Sequence, residues 1–276
     1  MSGRMSGLTH IEETFKKLRT ARRAAFMPFL AAGDPDLRTT AELIVAMEKS
    51  GADMVELGVP YSDPLADGPV IQDSFTRALA GGIHVSDVID SIRQARGMGV
   101  TIPVVTMVSY SVVFRHGCKR FVDEVVRAGG DGLIVPDLAV EESEDLREMC
   151  KQAGLALVFL VAPTTPGERQ KRIMADASGF IYCVSVVGIT GERDSLPETL
   201  AGHVRNLRSQ TELPVCVGFG VSRPDQAGRV ANIADGVIVG SALVRCISEA
   251  RGKGATGAAS ELARSLAQAV HGATRE

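Results

Sequence analysis

The feature that most constrains the fold is an alternation of short apolar runs with amphipathic helical segments along the whole chain. The runs begin near residues 26, 53, 100, 131, 155, 179, 213 and 235, and a helical segment follows each of them. Short apolar runs bounded by glycine or proline are typical of strands buried on both faces. Strands that alternate with helices in this way predict a parallel sheet with right-handed crossovers. Eight units with no obvious second domain predict an α/β fold, a closed (β/α)₈ or TIM barrel, rather than an open sheet.

The barrel is expected to carry helices beyond the eight that its strands require. Residues 8–23 alternate charge with Ile11, Phe15 and Leu18 at helical spacing, which predicts an amphipathic N-terminal cap helix. Two further helical segments, at 71–80 and 85–96, lie between the second and third strands. The chain therefore predicts a TIM barrel with a cap helix and extra helices.

A single domain is expected over residues 1–276, a length at which α/β barrels commonly form one unit. Residues 1–7 are expected to be disordered. The low-complexity stretch 251–260 is expected to be a flexible link to the last helix, not a domain boundary.

Three strand junctions are near copies of one another: SGADMVELG, AGGDGLIVPD and ANIADGVIVG. In each, a helix ends at a small residue and an aspartate opens the next strand. This internal similarity supports repeated helix-to-strand units within one barrel.

Composition excludes several classes of function. The formal net charge is −3, and aromatic residues make up only 4% of the chain, so no footprint for nucleic acid or an anionic membrane is present. No apolar run reaches the ~18 residues of a membrane span. The five cysteines show no C-x-x-C spacing and predict buried thiols in a reducing compartment. The first 15 residues lack the apolar core of a signal peptide, which predicts a cytoplasmic protein.

Glu56 lies inside one of the buried strands, in the stretch DMVELGVPYSDPLADGP at 53–69. No lysine or arginine occurs between Lys49 and Arg77 to neutralise it locally. A buried carboxylate must be paired, or its pKa must rise so that it holds a proton, and the second case makes a general acid or base.

Asp67 follows Glu56 in the same stretch, in a loop that contains Pro60 and Pro64. The two carboxyl groups would lie at one barrel mouth in different surroundings, an arrangement that can separate their roles. The alternative is that Glu56 pairs with a distant arginine and Asp67 caps a turn. The stretch alone favours neither reading.

Two absences narrow the chemistry further. None of the predicted strands contains a lysine, so a Schiff-base mechanism is not expected. None contains a histidine, and no His/Asp cluster has metal-ligand spacing, so no metal site is expected. Carboxylates and hydroxyls remain as the groups that would perform the reaction.

A phosphate site is predicted from glycines after the last two strands. Gly218-Phe219-Gly220 follows the seventh strand and Gly240-Ser241 opens the helix after the eighth, with Ser241 expected at an N-cap position. Backbone N–H groups and a helix N-terminus bind phosphate at this place in many barrels. The segment Gly188-Ile189-Thr190-Gly191 is expected to close over the ligand as a lid. The alternative is that these glycines form tight turns only.

Other residues have a structural explanation that competes with a functional one. Tyr182 counts as a site residue only if it faces the barrel mouth. Phe29, Phe219 and Met107 are core residues by default, and they form a pocket wall if the substrate is flat and aromatic. Asp137 is interpreted as a residue that satisfies a loop backbone.

The sequence resembles the tryptophan synthase alpha subunit family over nearly its whole length. The stretch ELGVPYSDPLADGPVIQ is highly specific, and PFLAAGDPD, PDLAVEES, GITGERDSLP, GFGVSRPDQ and VGSALVR support the resemblance. The resemblance implies a barrel that cleaves indole-3-glycerol phosphate to indole and glyceraldehyde 3-phosphate. It also implies an αββα complex with a β subunit that carries pyridoxal phosphate, with no cofactor in this chain. Loops 60–67 and 186–195 would order together as a lid.

The resemblance also implies residue roles. Glu56 would be the acid/base at the ring carbon and the glycerol hydroxyl, and Asp67 would hold the indole N–H. The implied substrate-binding residues are Phe29, Met107 and Tyr182 around the indole, Phe219 beside them, and Thr190, Gly191, Gly220, Gly240 and Ser241 around the phosphate.

Three positions depart from the family pattern. Ser109 and Ser111 stand where the family commonly has tyrosine and asparagine, and Ala139 stands where it commonly has proline. The last two positions lie toward the β-subunit contact, so a stand-alone lyase that releases free indole is the second hypothesis. A non-catalytic, phosphate-binding regulatory subunit is the third, and the presence of both Glu56 and Asp67 argues against it.

Overall fold

The computed structural model describes residues 5–64, 67–184, 199–218, 220–250 and 254–274. Within them, eight parallel strands pair in chain order and the last pairs with the first, so the predicted (β/α)₈ barrel is confirmed. The strands are β1 (Ala25–Ala31), β2 (Val55–Gly58), β3 (Val104–Met107), β4 (Gly132–Ile134), β5 (Ala156–Val161), β6 (Ile181–Val184), β7 (Val215–Gly218) and β8 (Gly236–Val239).

Twelve α-helices lie in the described part of the chain, and most connect consecutive strands. They are α1 (Gly7–Thr20), α2 (Leu37–Lys49), α3 (Pro69–Ala80), α4 (Val85–Gly97), α5 (Tyr110–His116), α6 (Cys118–Ala128), α7 (Glu144–Ala153), α8 (Gly167–Asp176), α9 (Leu200–Arg208), α10 (Pro224–Ala231), α11 (Ser241–Ala250) and α12 (Ala255–His271). None of them is long and apolar enough to cross a membrane.

Side chains on the strands alternate between two apolar clusters. One cluster fills the barrel interior and includes Met27, Met54 and Ile134, whereas the other lies between the strands and the helices and includes Val55 and Leu57. This alternation places Glu56, between Val55 and Leu57, on the inward face of β2. The strands in the described residues contain no other charged side chain.

The predicted cap helix is confirmed as α1, which closes the barrel at the ends where its strands begin. Ile11 and Phe15 are buried in the interior cluster, and the Phe15 ring lies 5.9 Å from that of Phe180, just ahead of β6. Ser6 caps the helix by accepting a hydrogen bond from the Thr9 N–H. The expectation of disorder over 1–7 is therefore wrong at Ser6 and Gly7, and residues 1–4 lie outside the described residues.

The three similar junctions share one interaction at this end of the barrel. Asp53, Asp131 and Asp235 precede β2, β4 and β8, and each accepts a backbone N–H from the start of the preceding strand. The corresponding position before β6 is Ser178, whose hydroxyl accepts the Leu157 N–H of β5 at 2.8 Å. Four side chains ahead of the even-numbered strands therefore join neighbouring strands in the same way.

Two expected boundaries are corrected by the structure. Residues 255–260 belong to α12, so the flexible link expected over 251–260 is wrong for them, and 251–253 lie outside the described residues. The apolar run VTIPVVTMVSY at 100–110 predicts a strand over its whole length, whereas β3 ends at Met107 and α5 follows it. That helix begins at Tyr110 because Ser109 caps it by accepting a hydrogen bond from the Ser111 N–H.

Candidate active site

A cavity lies inside the carboxyl end of the barrel, where the strands end. Eight of the predicted site residues line it: Phe29, Glu56, Asp67, Met107, Tyr182, Gly220, Gly240 and Ser241. Thr190, Gly191 and Phe219 lie outside the described residues. Sequence reasoning missed three apolar members of the wall, Ile71, Val221 and Ile238, because nothing in their local sequence separates them from ordinary core residues.

Glu56 reaches this cavity from the inward face of β2 and is only 3% exposed. Neither of its carboxyl oxygens has a hydrogen-bond partner within the described residues, so the alternative of a pair with a distant arginine finds no support there. Burial, and then the nearby charge of Asp67, raise the pKa of Glu56 from 4.5 to about 8. The side chain therefore holds a proton at neutral pH.

Asp67 faces the same cavity from the loop between β2 and α3. Its backbone N–H donates to the Pro64 carbonyl at 3.0 Å, and its own carbonyl accepts a hydrogen bond from the Gln72 side chain at 2.7 Å. The Gln72 amide also donates to the Pro64 carbonyl, so α3 fixes the loop at two points. Burial raises the pKa of Asp67 to about 6, and a hydrogen bond from the Tyr61 hydroxyl limits that rise.

These surroundings give the two carboxyl groups different protonation states near pH 7. The pKa of Glu56 is about 8 and that of Asp67 is about 6, so the first is mainly protonated and the second mainly ionised. One cavity thus contains a proton donor and a fixed negative charge, which is the separation of roles expected of a catalytic carboxyl pair.

Two aromatic side chains form walls of the cavity, and each depends on a glycine; the sequence did not single out Gly58, and it singled out Gly218 only for the phosphate site. A Cβ atom at Gly58 would stand 2.5 Å from Cζ of Phe29, and one at Gly218 would collide with the Tyr182 hydroxyl. Glycine at these inward strand positions therefore makes room for the rings. Tyr182 faces the cavity, which is the orientation that the sequence analysis required of it as a site residue. Burial raises its pKa well above the usual range, so the phenol remains neutral.

The glycine-rich side of the cavity is formed by Gly220, Gly240 and Ser241. The Gly240 carbonyl accepts hydrogen bonds from the N–H groups of Leu243 and Val244, so Gly240 occupies the N-cap position and Ser241 is the first residue of α11. The expectation of Ser241 at the N-cap is wrong by one residue. The first N–H groups of α11 have no partner within the helix, and Gly240 and Ser241 line the cavity, which suits an anion.

Two carboxylates that follow β1 and β4 have structural roles. Arg77 donates two hydrogen bonds to Asp34, of 3.1 and 2.7 Å. Asp137 accepts the Tyr110 N–H at 2.8 Å and the Ser109 hydroxyl at 2.7 Å, in agreement with its interpretation as a loop-satisfying residue. Within the described chain, no group of three or more His, Cys, Asp or Glu side chains is arranged to hold a metal ion.

The fold and the cavity define the class of protein, a (β/α)₈-barrel enzyme whose cavity is lined by two carboxyl groups and by the N-terminus of a helix. The family model of the tryptophan synthase alpha chain matches residues 15–273. The chain therefore belongs to the tryptophan synthase alpha chain family.

Individual relatives agree with this assignment. A tryptophan synthase alpha chain from Rhodopirellula baltica is 51% identical over 245 residues, 88% of this chain and 88% of that protein. One from Chloroflexus aggregans is 44% identical over 96% of this chain and 100% of that protein.

Solved structures are similar over the same extent. Tryptophan synthase subunit alpha from Legionella pneumophila superposes with a TM-score of 0.88 at 38% identity, covering 97% of this chain and 99% of that chain. A chain of Mycobacterium tuberculosis tryptophan synthase gives a TM-score of 0.87 at 35% identity, covering 95% and 98%.

Proposed function

We propose that this chain cleaves indole-3-glycerol phosphate to indole and glyceraldehyde 3-phosphate, as the α component of tryptophan synthesis. The observation that carries the proposal is Glu56, a buried carboxyl group without a hydrogen-bond partner in the described structure, which shares one cavity with Asp67. Membership of the tryptophan synthase alpha chain family supports the choice of substrate.

The two carboxyl groups would act in sequence on the bond between the indole ring and the glycerol chain. Protonated Glu56 gives its proton to the ring carbon that carries the chain, and the Asp67 carboxylate accepts the ring N–H and stabilises the resulting indolenine cation. The ring–chain bond then breaks, its electron pair returns to the ring, and the Glu56 carboxylate takes the proton from the adjacent hydroxyl. Indole and an aldehyde result, and Glu56 is protonated again.

The rest of the cavity supplies binding. We assign the indole to the walls formed by Phe29, Met107 and Tyr182, with Phe219 beside them. We assign the phosphate to the glycine-rich side of the cavity, with Thr190 and Gly191 as the covering segment. The proposed phosphate ligands are Thr190, Gly191, Gly220, Gly240 and Ser241, and loops 60–67 and 186–195 are proposed to close as a lid.

Glu56→Gln tests this proposal, because glutamine keeps the size of the side chain and removes the transferable proton. We expect kcat to fall by at least ~10²-fold, measured as indole release from indole-3-glycerol phosphate. Glu42→Gln is the matched control, since Glu42 lies on the outer surface of α2 in an ion pair with Arg38. Unchanged cleavage by Glu56→Gln would refute the assigned roles, and absence of cleavage by the wild type, alone and with a β subunit, would refute the activity.

The β subunit of tryptophan synthase is the proposed partner, in an αββα complex whose pyridoxal phosphate belongs to that subunit. The M. tuberculosis structure similar to this chain is described as tryptophan synthase. Phe114 on α5, close to the carboxyl ends of the strands, is 68% exposed and lies beside the Tyr110 ring, which fits a surface that a partner covers.

A stand-alone lyase that releases free indole is the second candidate, and Ser109, Ser111 and Ala139 favour it because they depart from the family pattern. The isolated chain decides between the two. We expect slow indole release that rises when a β subunit is added, whereas full turnover without it would support the stand-alone enzyme. We also propose that the reaction takes place in the cytoplasm, and the five free cysteines fit a reducing compartment.

A further inference from the structure

A second cavity adjoins the proposed indole site. It shares two wall residues, Asp67 and Met107, with the first cavity. Its other walls come from strand ends and α3, and most of them are apolar, including Phe75, Pro136 and Leu160. We call this space the side cavity. A ring that contacts Asp67 and Met107 therefore has unfilled apolar space beyond it.

Ser109 forms part of the side-cavity wall, and its hydrogen bonds hold its small side chain in place there. The hydroxyl donates to Asp137 at 2.7 Å and caps α5, so its position is fixed from two directions. Tyr110, the next residue, begins α5, and its ring packs against exposed Phe114 with centroids 6.1 Å apart. The aromatic side chain of Tyr110 thus lies on the surface of α5, and the hydroxymethyl side chain of Ser109 lines the side cavity.

We propose that the side cavity accepts apolar substituents on the benzo ring of the indole, at carbon 7 and its neighbour carbon 6. The inference rests on the proposed function, in which Asp67 accepts the ring N–H. Carbon 7 is the benzo carbon nearest that N–H, and Asp67 belongs to both cavities. Carbon 4 lies on the opposite edge, next to the glycerol chain and Glu56, where a substituent competes with the substrate itself for space.

The chemistry of the walls restricts the substituent. The Ser109 hydroxyl already donates a hydrogen bond to Asp137, and in the proposed function the Asp67 carboxylate accepts one from the ring N–H. A chlorine atom or methyl group gains apolar contacts there without needing a polar partner. An anionic substituent would face the carboxylate of Asp67 and would be rejected.

Competition between chloroindoles tests the proposal in the reverse direction, condensation with glyceraldehyde 3-phosphate. We expect kcat/KM for 7-chloroindole to lie within about 10-fold of that for indole. We expect kcat/KM for 4-chloroindole to be at least about 10-fold lower than that for 7-chloroindole, which is the range for one group in an apolar pocket. Equal rejection of both chloroindoles overturns the inference while indole itself still reacts. Failure of indole to react overturns the proposed function instead.

Leu160→Phe narrows the side cavity from β5, and Leu160→Met is the matched control because it conserves volume. We expect the ratio of kcat/KM for 7-chloroindole to that for indole to fall about 10-fold or more in Leu160→Phe and to stay unchanged in Leu160→Met. Ser109→Tyr fills the cavity from another wall and should lower the same ratio. If the ratio is unchanged in every folded variant with a narrowed side cavity, the substituent does not enter that cavity. If none of these variants folds, the comparison of 7-chloroindole with 4-chloroindole in the wild type decides.

Discussion

Glu56 and Asp67 carry the same functional group, and their different surroundings give the site its expected pH dependence. The pKa of Asp67 is about 6 and that of Glu56 about 8, and the proposed mechanism needs the first ionised and the second protonated. We therefore expect kcat/KM to be bell-shaped, with a maximum near pH 7. Because the groups interact, the two limbs report apparent pKa values of the pair. A rate that rises steadily through pH 9 would contradict this assignment.

The raised pKa of Glu56 also makes a prediction for stability. Between pH 4.5 and about 8 the folded protein retains a proton on Glu56 that the unfolded chain has lost, so the free energy of unfolding falls as pH rises. Glu56→Gln removes this dependence. We expect the variant to gain roughly 2–4 kcal/mol relative to the wild type between pH 5 and pH 8, measured by urea unfolding. Parallel stability curves for the two proteins would show that Glu56 does not titrate in this range.

Burial raises the pKa of Asp67, and Tyr61 limits that rise because its hydroxyl donates a hydrogen bond to the carboxylate. Tyr61→Phe removes the donor, so the pKa of Asp67 should increase above about 6. We expect the acidic limb of the kcat/KM profile to move to higher pH by about half a unit or more, with the basic limb less affected. Tyr110→Phe, which changes the same group on the surface of α5, should leave the acidic limb in place.

At the scale of elements, the strands and most helices were predictable from the spacing of their apolar residues, which form short continuous runs in the strands and recur at helical spacing in the helices. Helix α5 was not, since Tyr110, Val112, Val113 and Phe114 are weak helix formers and the segment reads as an extension of β3. It forms because Ser109 caps it and Asp137, 28 positions along the chain from Ser109, holds both the cap hydroxyl and the Tyr110 N–H. A contact at that distance in sequence leaves no local pattern.

The end of α1 offers a prediction about a single helix terminus. Arg22 has φ +53°, in the left-handed region, and the Arg22 and Arg23 N–H groups donate to the carbonyls of Arg19 and Leu18. This is the Schellman ending, in which glycine is favoured at the position of Arg22. Arg22→Gly should therefore raise the free energy of unfolding by about 0.5–1 kcal/mol. Arg19→Gly, inside the last turn, should lower it by a similar amount, and urea unfolding of both variants tests the pair.

For the whole molecule, the sequence identified residues whose chemistry is visible in their type and missed those that act through position. A carboxylate in an apolar strand marks Glu56, and glycines after the last two strands mark Gly220 and Gly240. Gly58 and Gly218 leave room for rings on β1 and β6, and Gln72 holds the Asp67 loop from α3. Their roles depend on which strands and helices become neighbours when the barrel closes, and composition and spacing do not report that.

Barrel closure itself depends on the side chains ahead of the even-numbered strands, and these are not equivalent. Asp131 is fully buried and binds the Val104 N–H, Arg96 and His10, which joins β3, β4, α4 and α1. Ser178 makes the corresponding bond to Leu157 without a charge. Asp131→Asn should lower the free energy of unfolding by about 2–4 kcal/mol, because a buried ionic network loses its anion. Ser178→Ala should lower it by about 1 kcal/mol, the value of one neutral hydrogen bond.

The position of these side chains separates the effect on stability from any effect on activity. They lie where the strands begin, whereas Glu56 and Asp67 line a cavity at the opposite end. We therefore expect both variants to retain the wild-type kcat per folded molecule at a temperature where they remain folded, measured alongside urea unfolding. Equal destabilisation by the two substitutions would mean that the charge of Asp131 adds nothing to the strand contact. A loss of kcat in the folded Asp131→Asn variant would mean that the two ends of the barrel are coupled.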